Sequence, residues 1–331
     1  MNGINAGNIK MAKKENKKIL LSGVKPTGRP HIGNYFGAMK QFVDLQNEYE
    51  GYVFIADYHA LTTIQNGAEL SQNSLDVALD YLSIGLMPEK TCLFKQSDVP
   101  EVTELAWIFN CITTVPYLER AHAYKDSLAK GKEPNVGLFD YPILMASDIL
   151  IQDAEVVPVG ADQKQHVEYA RDTAEKFNRI FGGNENVFKM PEALILDSVK
   201  TVPGIDGQKM SKSYGNIIPL FASREEIQKL VMSIVTDSSS GVPQNVYAIH
   251  SLFCDKKSLD SLYEEKKGKY KDLKEALIED MDKFISPLRK KREELAKDPE
   301  KVLRILKVGG EKARARASKK MEEVRAKVGV K

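Results

Sequence analysis

Ile19 to Lys40 reads ILLSGVKPTGRPHIGNYFGAMK, and this stretch decides the fold. Ile19 to Leu21 are apolar and compact, as a buried strand requires. Ser22 to Pro30 carries Gly23, Pro26, Gly28 and Pro30, the punctuation of a turn. From His31 onward, Ile32, Tyr35, Phe36, Met39, Phe42 and Val43 recur at helical spacing. A helix that opens directly on a Gly-rich turn presents bare N–H groups, and its dipole favours an anion there. His31 and Asn34 stand on the first turn, with Gly33 between them adding no side chain. The pattern predicts a phosphate site with room for a flat ring against the backbone.

Outward from this stretch, strands and helices alternate. Tyr52 to Ile55 reads as a second buried strand and Thr91 to Phe94 as a third. Between them, Ala68 to Gly85 is helical, with Leu70, Leu75, Ala78, Leu79 and Leu82 on one face. Glu101 to Thr113 is a helix in which Trp107, the single tryptophan, is expected in the core beside Leu105 and Ile108. Leu118 to Lys132 is a basic helix, Tyr141 to Ile151 a buried one, and Val156 to Val159 a further strand. The class is therefore α/β, a Rossmann-like doubly wound parallel sheet. Ligands in such sheets sit at the carboxyl ends of the strands, where the strand order reverses.

Asp148 sits among Ile143, Leu144, Met145, Ile149 and Leu150. A carboxylate on an apolar helix face must find a donor. A structural partner and the N–H or O–H of a hydrophobic ligand both meet that need. Gly160 to Gln163 repeats the strand-turn-helix geometry of the first site. Asp162 can accept ribose hydroxyls and Gln163 can bind an ammonium or carbonyl, with His166 and Glu168 expected in supporting or structural roles. Far downstream, GIDGQKMSKSYGN spans Gly204 to Asn216 and reads as a mobile loop carrying Lys209 and Lys212. Two cations on such a loop suit a polyphosphate that is gripped and then released.

From Ser223 the chain turns helical. Ser223 with Glu226 makes a capping-box pattern for a helix to Val235. Tyr270 to Leu295 carries one apolar stripe that Pro287 is expected to bend or break. Pro299 to Val308 and Lys312 to Val328 read as two more helices. The last is basic through Arg314, Arg316, Lys319, Lys320, Arg325 and Lys327, as either a face packed on the first domain or an RNA contact. The expected organisation is a polar tail over 1–18, a catalytic domain over 19–203, the lysine loop over 204–222 and a helical domain over 223–331.

The 331 residues carry a net charge of +2, which says little about nucleic acid. Cys92, Cys111 and Cys254 form no CxxC, so neither a zinc ribbon nor a disulfide framework is indicated, and free thiols fit a reducing cytoplasm. No apolar run is long enough to span a membrane. Lys10, Lys13, Lys14, Lys17 and Lys18 are not followed by the apolar segment of a secretory signal.

PTGRPHIGN and KMSKS together resemble the two signatures of class I aminoacyl-tRNA synthetases. VPVGADQKQH, YPILMASDI, the HIGN form of the first signature and SIVTDSSSG at Ser233 to Gly241 are similar, more narrowly, to the bacterial-type tryptophanyl-tRNA synthetases. The motif resemblance covers roughly 19–241. It implies activation of L-tryptophan by ATP and transfer to tRNA(Trp), in a cytoplasmic homodimer, with Mg²⁺ carried by ATP and no dedicated protein metal site. His31, Lys209 and Lys212 would be catalytic. Lys25, Pro26, Thr27, Gly33, Asn34 and Lys125 would surround ATP from the first half of the chain. Gly160, Ala161, Asp162, Val202, Met210, Ser211 and Ser213 would do so from the second. Asp148 would accept the indole N–H, Tyr141 and Gln163 would hold the ammonium, and Met145, Val157 and Val159 would line the side-chain pocket. Two positions depart from the pattern: Lys25 stands where Gln is frequent and Ala161 where Glu is frequent. The alternative substrate is tyrosine, whose hydroxyl can also donate to Asp148. A nucleotidylyltransferase would not need the full KMSKS or the long helical C-terminal region. A non-catalytic binding protein would not need to keep His31, Lys209 and Lys212.

Overall fold

Five parallel strands form one sheet in the order β3-β2-β1-β4-β5. They are β1 Ile19–Val24, β2 Glu50–Ile55, β3 Thr91–Lys95, β4 Val156–Val159 and β5 Glu192–Ile195. The structure is a computed structural model that describes residues 17–160, 164–195, 202–236 and 242–330. β1 pairs along its whole length with β2, Ile19 facing Glu50 through Val24 facing Ile55, and touches β4 at Leu20 and Val156. The chain thus runs outward from β1 to β3, then crosses back to β4 and β5. The order reverses between β1 and β4, so the crevice opens at their carboxyl ends. β5 carried no sequence signal: four residues, EALI, are too short for a period to declare itself.

Both faces of the sheet are buried under helices. One core joins Ile32, Val53, Ile55, Leu79 and Leu93 to Ile227, Leu277, Met281 and Leu306. The other joins Leu21, Phe54, Phe94, Phe109, Ile143 and Phe177 to Ala313, Ala317 and Met321. Residues after Ser223 therefore complete the core on both sides. Ser223 caps the helix that opens there, Arg224–Met232, its Oγ accepting the Glu226 N–H at 3.2 Å.

Four expectations are corrected. Trp107 is 70% exposed, not core. The Glu101–Asn110 helix buries Val102, Leu105, Ala106 and Phe109, a complete i, i+3, i+4, i+7 stripe that Trp107 falls outside. The basic stretch Leu118 to Lys132 breaks into Val115–Leu118 and His122–Ala129. The Tyr270–Ala296 helix is not broken at Pro287. The last two predicted helices are one, Pro299–Val328, unbroken at Gly309-Gly310. That pair is held helical by its neighbour. A Cβ on Gly309 would stand 2.0 Å from the Leu93 carbonyl oxygen, so the helix lies directly on edge strand β3. Close burial outweighs the roughly 1 kcal/mol that each glycine takes from helix propensity, and the covered edge cannot recruit another strand.

The basic residues of that helix largely turn inward. Arg314 pairs with Glu101, Arg325 with Glu104, Lys320 with Asp153 and Lys327 with Glu185, while Arg316 donates to the Gln152 carbonyl. These contacts favour the packed-face reading over the RNA reading for five of the six cations. Among the described residues, no helix is long and apolar enough to cross a membrane.

Candidate functional site

A cavity of about 1010 Å³ opens at the carboxyl ends of β1 and β4. Its lining brings together Lys25, Thr27, His31, Asn34, Tyr141, Met145, Val157, Val159, Gly160, Ser211 and Lys212, all predicted from sequence. The predicted first turn is present. His31 caps it, its Nδ1 accepting the Asn34 N–H at 3.2 Å while Asn34 Oδ1 accepts the His31 N–H at 3.1 Å. Because Nδ1 accepts, the neutral ring carries its proton on Nε2 and keeps that N–H as a donor. Burial, reinforced by the Lys212 charge, pulls His31 down to about 4, so the ring is neutral at physiological pH. Gly33 makes this seat possible, since a Cβ there would stand 2.9 Å from His31 Nδ1 and 3.6 Å from Met210 Sδ.

The lysine loop closes over the turn. Lys212 Nζ donates to the carbonyls of Thr27 and Gly28 at 3.0 and 2.9 Å. Lys25 Nζ donates to Thr62 Oγ1 at 3.0 Å. Burial lowers the pKa of both lysines. Among the described residues, no carboxylate lies within 4 Å of either ammonium. Two cations face one cavity and are held only by neutral oxygens, an arrangement that receives anions.

The loop predicted as mobile is tied internally. Asn216 is buried, donates to Asp206 Oδ1 at 2.8 Å and to the Lys209 carbonyl at 3.1 Å, and accepts the Ser211 N–H at 2.8 Å. Met210 donates its N–H to the Val202 carbonyl at 2.9 Å, and both residues are buried. Ser213 Oγ lies 2.8 Å from the Ser211 hydroxyl. Lys209 and Lys125 are exposed and do not line the cavity. Lys125 stands on the His122–Ala129 helix, whose first residues, His122 and Ala123, do line it. Pro26, Val202, Met210 and Ser213 also stay out of the lining. Ala161, Asp162 and Gln163, and part of Ser233 to Gly241, lie outside the described residues.

Asp148 lies behind the His59 wall of the site. It is buried, on the Val136–Ile151 helix, and both of its oxygens accept Gln96 Nε2 at 2.9 Å. His59 Nε2 donates to Oδ2 at 3.0 Å. Burial raises the Asp148 pKa, and the His59 and Gln96 bonds oppose that rise. Gln96 is itself oriented, its Oε1 accepting the His59 backbone N–H at 3.2 Å. The carboxylate stands behind His59, which lines the main cavity where Asp148 does not. Tyr141 Oη and His166 Nε2 are 3.3 Å apart across the opposite wall.

His59, Thr62, Asp80, Gln96 and His166 carry parts of this site that the sequence reading did not assign or, for His166, set behind it. The available signal was position: His59 and Gln96 follow the carboxyl ends of β2 and β3, where polar residues of parallel sheets meet ligands.

The family described as "tRNA synthetases class I (W and Y)" matches residues 13–304. The chain is 48% identical over 318 residues to "Tryptophan--tRNA ligase" of Fusobacterium nucleatum, spanning 94% of this chain and 97% of that one. It is also similar to a crystal structure of tryptophanyl-tRNA synthetase from Campylobacter jejuni, complexed with ADP and tryptophan. That likeness has a TM-score of 0.88 and 44% identity, and covers 94% of this chain and all of the other. A tyrosyl-tRNA synthetase from Archaeoglobus fulgidus, complexed with L-tyrosine, shares the fold at 20% identity and a TM-score of 0.64.

Proposed function

Since the chain belongs to the class I tRNA synthetases of the W and Y family, we infer that it joins L-tryptophan to tRNA(Trp) at the expense of ATP. One observation carries the reading: a single cavity has at its mouth two lysines held, among the described residues, by neutral oxygens, together with a neutral histidine donor, and an apolar wall backed by a buried carboxylate. The relatives named Tryptophan--tRNA ligase share this chain's fold and nearly its whole length.

In this reading the amino acid lies along Met145, Val157 and Val159. Asp148 takes the indole N–H on a lone pair left over from Gln96 and His59, and Tyr141 with Gln163 holds the ammonium. The substrate carboxylate attacks the α-phosphorus of ATP, the bond to pyrophosphate breaks, and tryptophanyl-adenylate forms. A terminal hydroxyl of the tRNA then attacks the acyl carbon and releases AMP. His31 Nε2–H and the helix N-terminus hold the phosphate oxygens, and Lys212 exchanges its carbonyl partners for the departing pyrophosphate, with Lys209 alongside. Positioning and charge stabilisation carry the rate, with no covalent enzyme intermediate. Asp80 is the one carboxylate among the described lining residues, and Arg292 occupies it. The residues present therefore suit Mg²⁺ that enters on the nucleotide, where it would neutralise part of the phosphate charge.

A homodimer belongs to the same proposal, supported by the exposed apolar side chains of Trp107, Val115 and Val136 on neighbouring elements that Asn110 and Asp140 join at 2.8 Å. The setting is the cytoplasm. The test is amino-acid-dependent ATP–pyrophosphate exchange with tryptophan, tyrosine and phenylalanine in turn. Exchange with tryptophan alone is expected. Exchange with tyrosine overturns the substrate, and exchange with none overturns the activity.

A further inference from the structure

A second polar cluster lies in the helical C-terminal region, and none of its members lines the cavity. His250 is the last residue of the Gln244–His250 helix, Cys254 stands just before the Asp255 cap of the Lys256–Glu265 helix, and Asp280 lies on the Tyr270–Ala296 helix. Two side chains converge on one carboxylate oxygen. His250 Nε2 is 2.9 Å from Asp280 Oδ2, and Cys254 Sγ donates to the same atom at 3.1 Å. Among the described residues, this is the one group of three His, Cys, Asp or Glu side chains whose ligand atoms all lie within 4.8 Å of one another. His250 is fully buried, and its Nδ1 is 3.2 Å from Tyr263 Oη. Cys254 is half-buried and the Asp280 side chain is 38% exposed, so the group is reachable from solvent. The elements around it share a small apolar cluster whose buried members are Leu259, Tyr263 and Leu273.

We propose that His250, Cys254 and Asp280 bind one zinc ion, which clamps these helices together at their junction. Imidazole, thiolate and carboxylate are zinc donors, and the sulfur disfavours magnesium and calcium, which take oxygen. A hydrogen-bonded network at this place has no need of a thiol, which is a weak donor. As a metal ligand the same sulfur is strong. The spacing suits the ion: zinc bonds of about 2.0–2.3 Å in a tetrahedron put donor atoms about 3.3–3.5 Å apart, so each gap to Asp280 opens by about 0.4 Å. Asp280, partly exposed, has room for that movement. Binding exchanges hydrogen bonds for metal bonds. Cys254 gives its thiol proton to solvent, and His250 keeps one proton and carries it on Nδ1 toward Tyr263 Oη. Nε2, Sγ and Oδ2 each supply a lone pair, and a water takes the fourth position. Tyr263 thereby orients the ring from behind, as partners of metal-bound histidines do. The two anionic ligands match the dication, while Lys283 and Asp255 nearby carry opposite charges. Spacing along the chain does not show the site, because Asp280 lies 30 residues from His250 and 26 from Cys254.

The experiment is a titration of the full chain, stripped of metal by a chelator and free of nucleotide, with Co²⁺ and then Zn²⁺. A Cys111→Ser background removes the exposed thiol. One Co²⁺ per chain is expected, with a thiolate-to-cobalt charge-transfer band and the intense visible bands of four-coordination, all bleached by one equivalent of Zn²⁺. Kd for Zn²⁺, by competition with a chromophoric chelator, is expected below about 10 μM. Saturating Zn²⁺ should raise Tm, since it binds the folded chain. Cys254→Ser should abolish both the charge-transfer band and the rise in Tm. Asp280→Asn should keep the band and weaken Zn²⁺, and Tyr263→Phe should weaken it about tenfold by loosening the ring. A purely structural network predicts no charge-transfer band and the same Tm with and without Zn²⁺. Either of those results, a band that survives Cys254→Ser, or a Kd above about 10 μM overturns the proposal. If the variants at Asp280 and Tyr263 do not fold, Cys254→Ser, at a half-buried position, carries the test by the same criteria.

Discussion

The two ends of the cavity are built on opposite principles. At the back, Asp148 already has its donors: Gln96 reaches both oxygens, His59 reaches one, and the His59 backbone orients Gln96. At the mouth, Lys25 and Lys212 rest on a hydroxyl and two carbonyls, with no counter-ion in contact among the described residues. The back wall is complete before any ligand arrives, because a buried polar group without a partner costs about 1–3 kcal/mol. The mouth is left incomplete, as the proposed function requires of contacts that a charged ligand is to replace. Selection among side chains needs a fixed shape, whereas phosphate release needs replaceable contacts.

The largest expected effect lies at the mouth. Lys212→Ala should lower tryptophan-dependent pyrophosphate exchange about 10²–10³-fold, the scale of one lost charge-stabilising donor. Tryptophan affinity, read by calorimetry without ATP, should stay within about twofold. Equal losses in both would mean that the two ends are not separable. At the back, Asp148→Ala strands the Gln96 amide and His59. KM for tryptophan should rise about 10–100-fold and Tm should drop, at about 1–3 kcal/mol per stranded group. ATP affinity should hold, and a matching loss of ATP binding would break the comparison from the other side.

Gly33→Ala sharpens it. A Cβ 2.9 Å from His31 Nδ1 must displace the ring proposed to donate to phosphate. About a tenfold loss in kcat is expected, with KM for tryptophan unmoved, since small misplacements at a reacting centre are costly. An unchanged kcat would show that the His31 seat is not needed. The smallest effect is in pH. His31 is held at about 4, below its ordinary 6.5. A value depressed on folding gives stability that is full above pH 6.5 and is lost as pH falls through about 4. Tm measured from pH 7 to pH 4 should decline in wild type and decline less in His31→Asn. Identical slopes would remove His31 from the acid response.

The mouth of the cavity was legible in the sequence because its parts are local. Strand, Gly/Pro turn and capped helix are contiguous in Ile19 to Lys40, and the His31–Asn34 exchange spans three residues. The back wall was legible only in part. The apolar setting of Asp148 announced a need for a donor, but Gln96 and His59 lie 52 and 89 residues away. Trp107 misled because aromatic character suggests burial, whereas the helix had already filled its inward stripe with Val102, Leu105, Ala106 and Phe109.

Taken by itself, the sequence determined the alternation of strands and helices, the capped turn at His31, the paired lysines of the loop and the family they resemble. Each is a matter of spacing along a few turns of chain, where sterics and hydrogen bonding act between near neighbours. Tertiary structure alone decided that Gly309 and Gly310 stay helical against β3, that Lys209 faces outward while Lys212 closes on the turn, and that Arg292 reaches Asp80 across 212 residues of chain. Those outcomes depend on which surfaces meet. Burial and charge compensation act through space, and no local pattern in the chain encodes the distance between two faces before they pack.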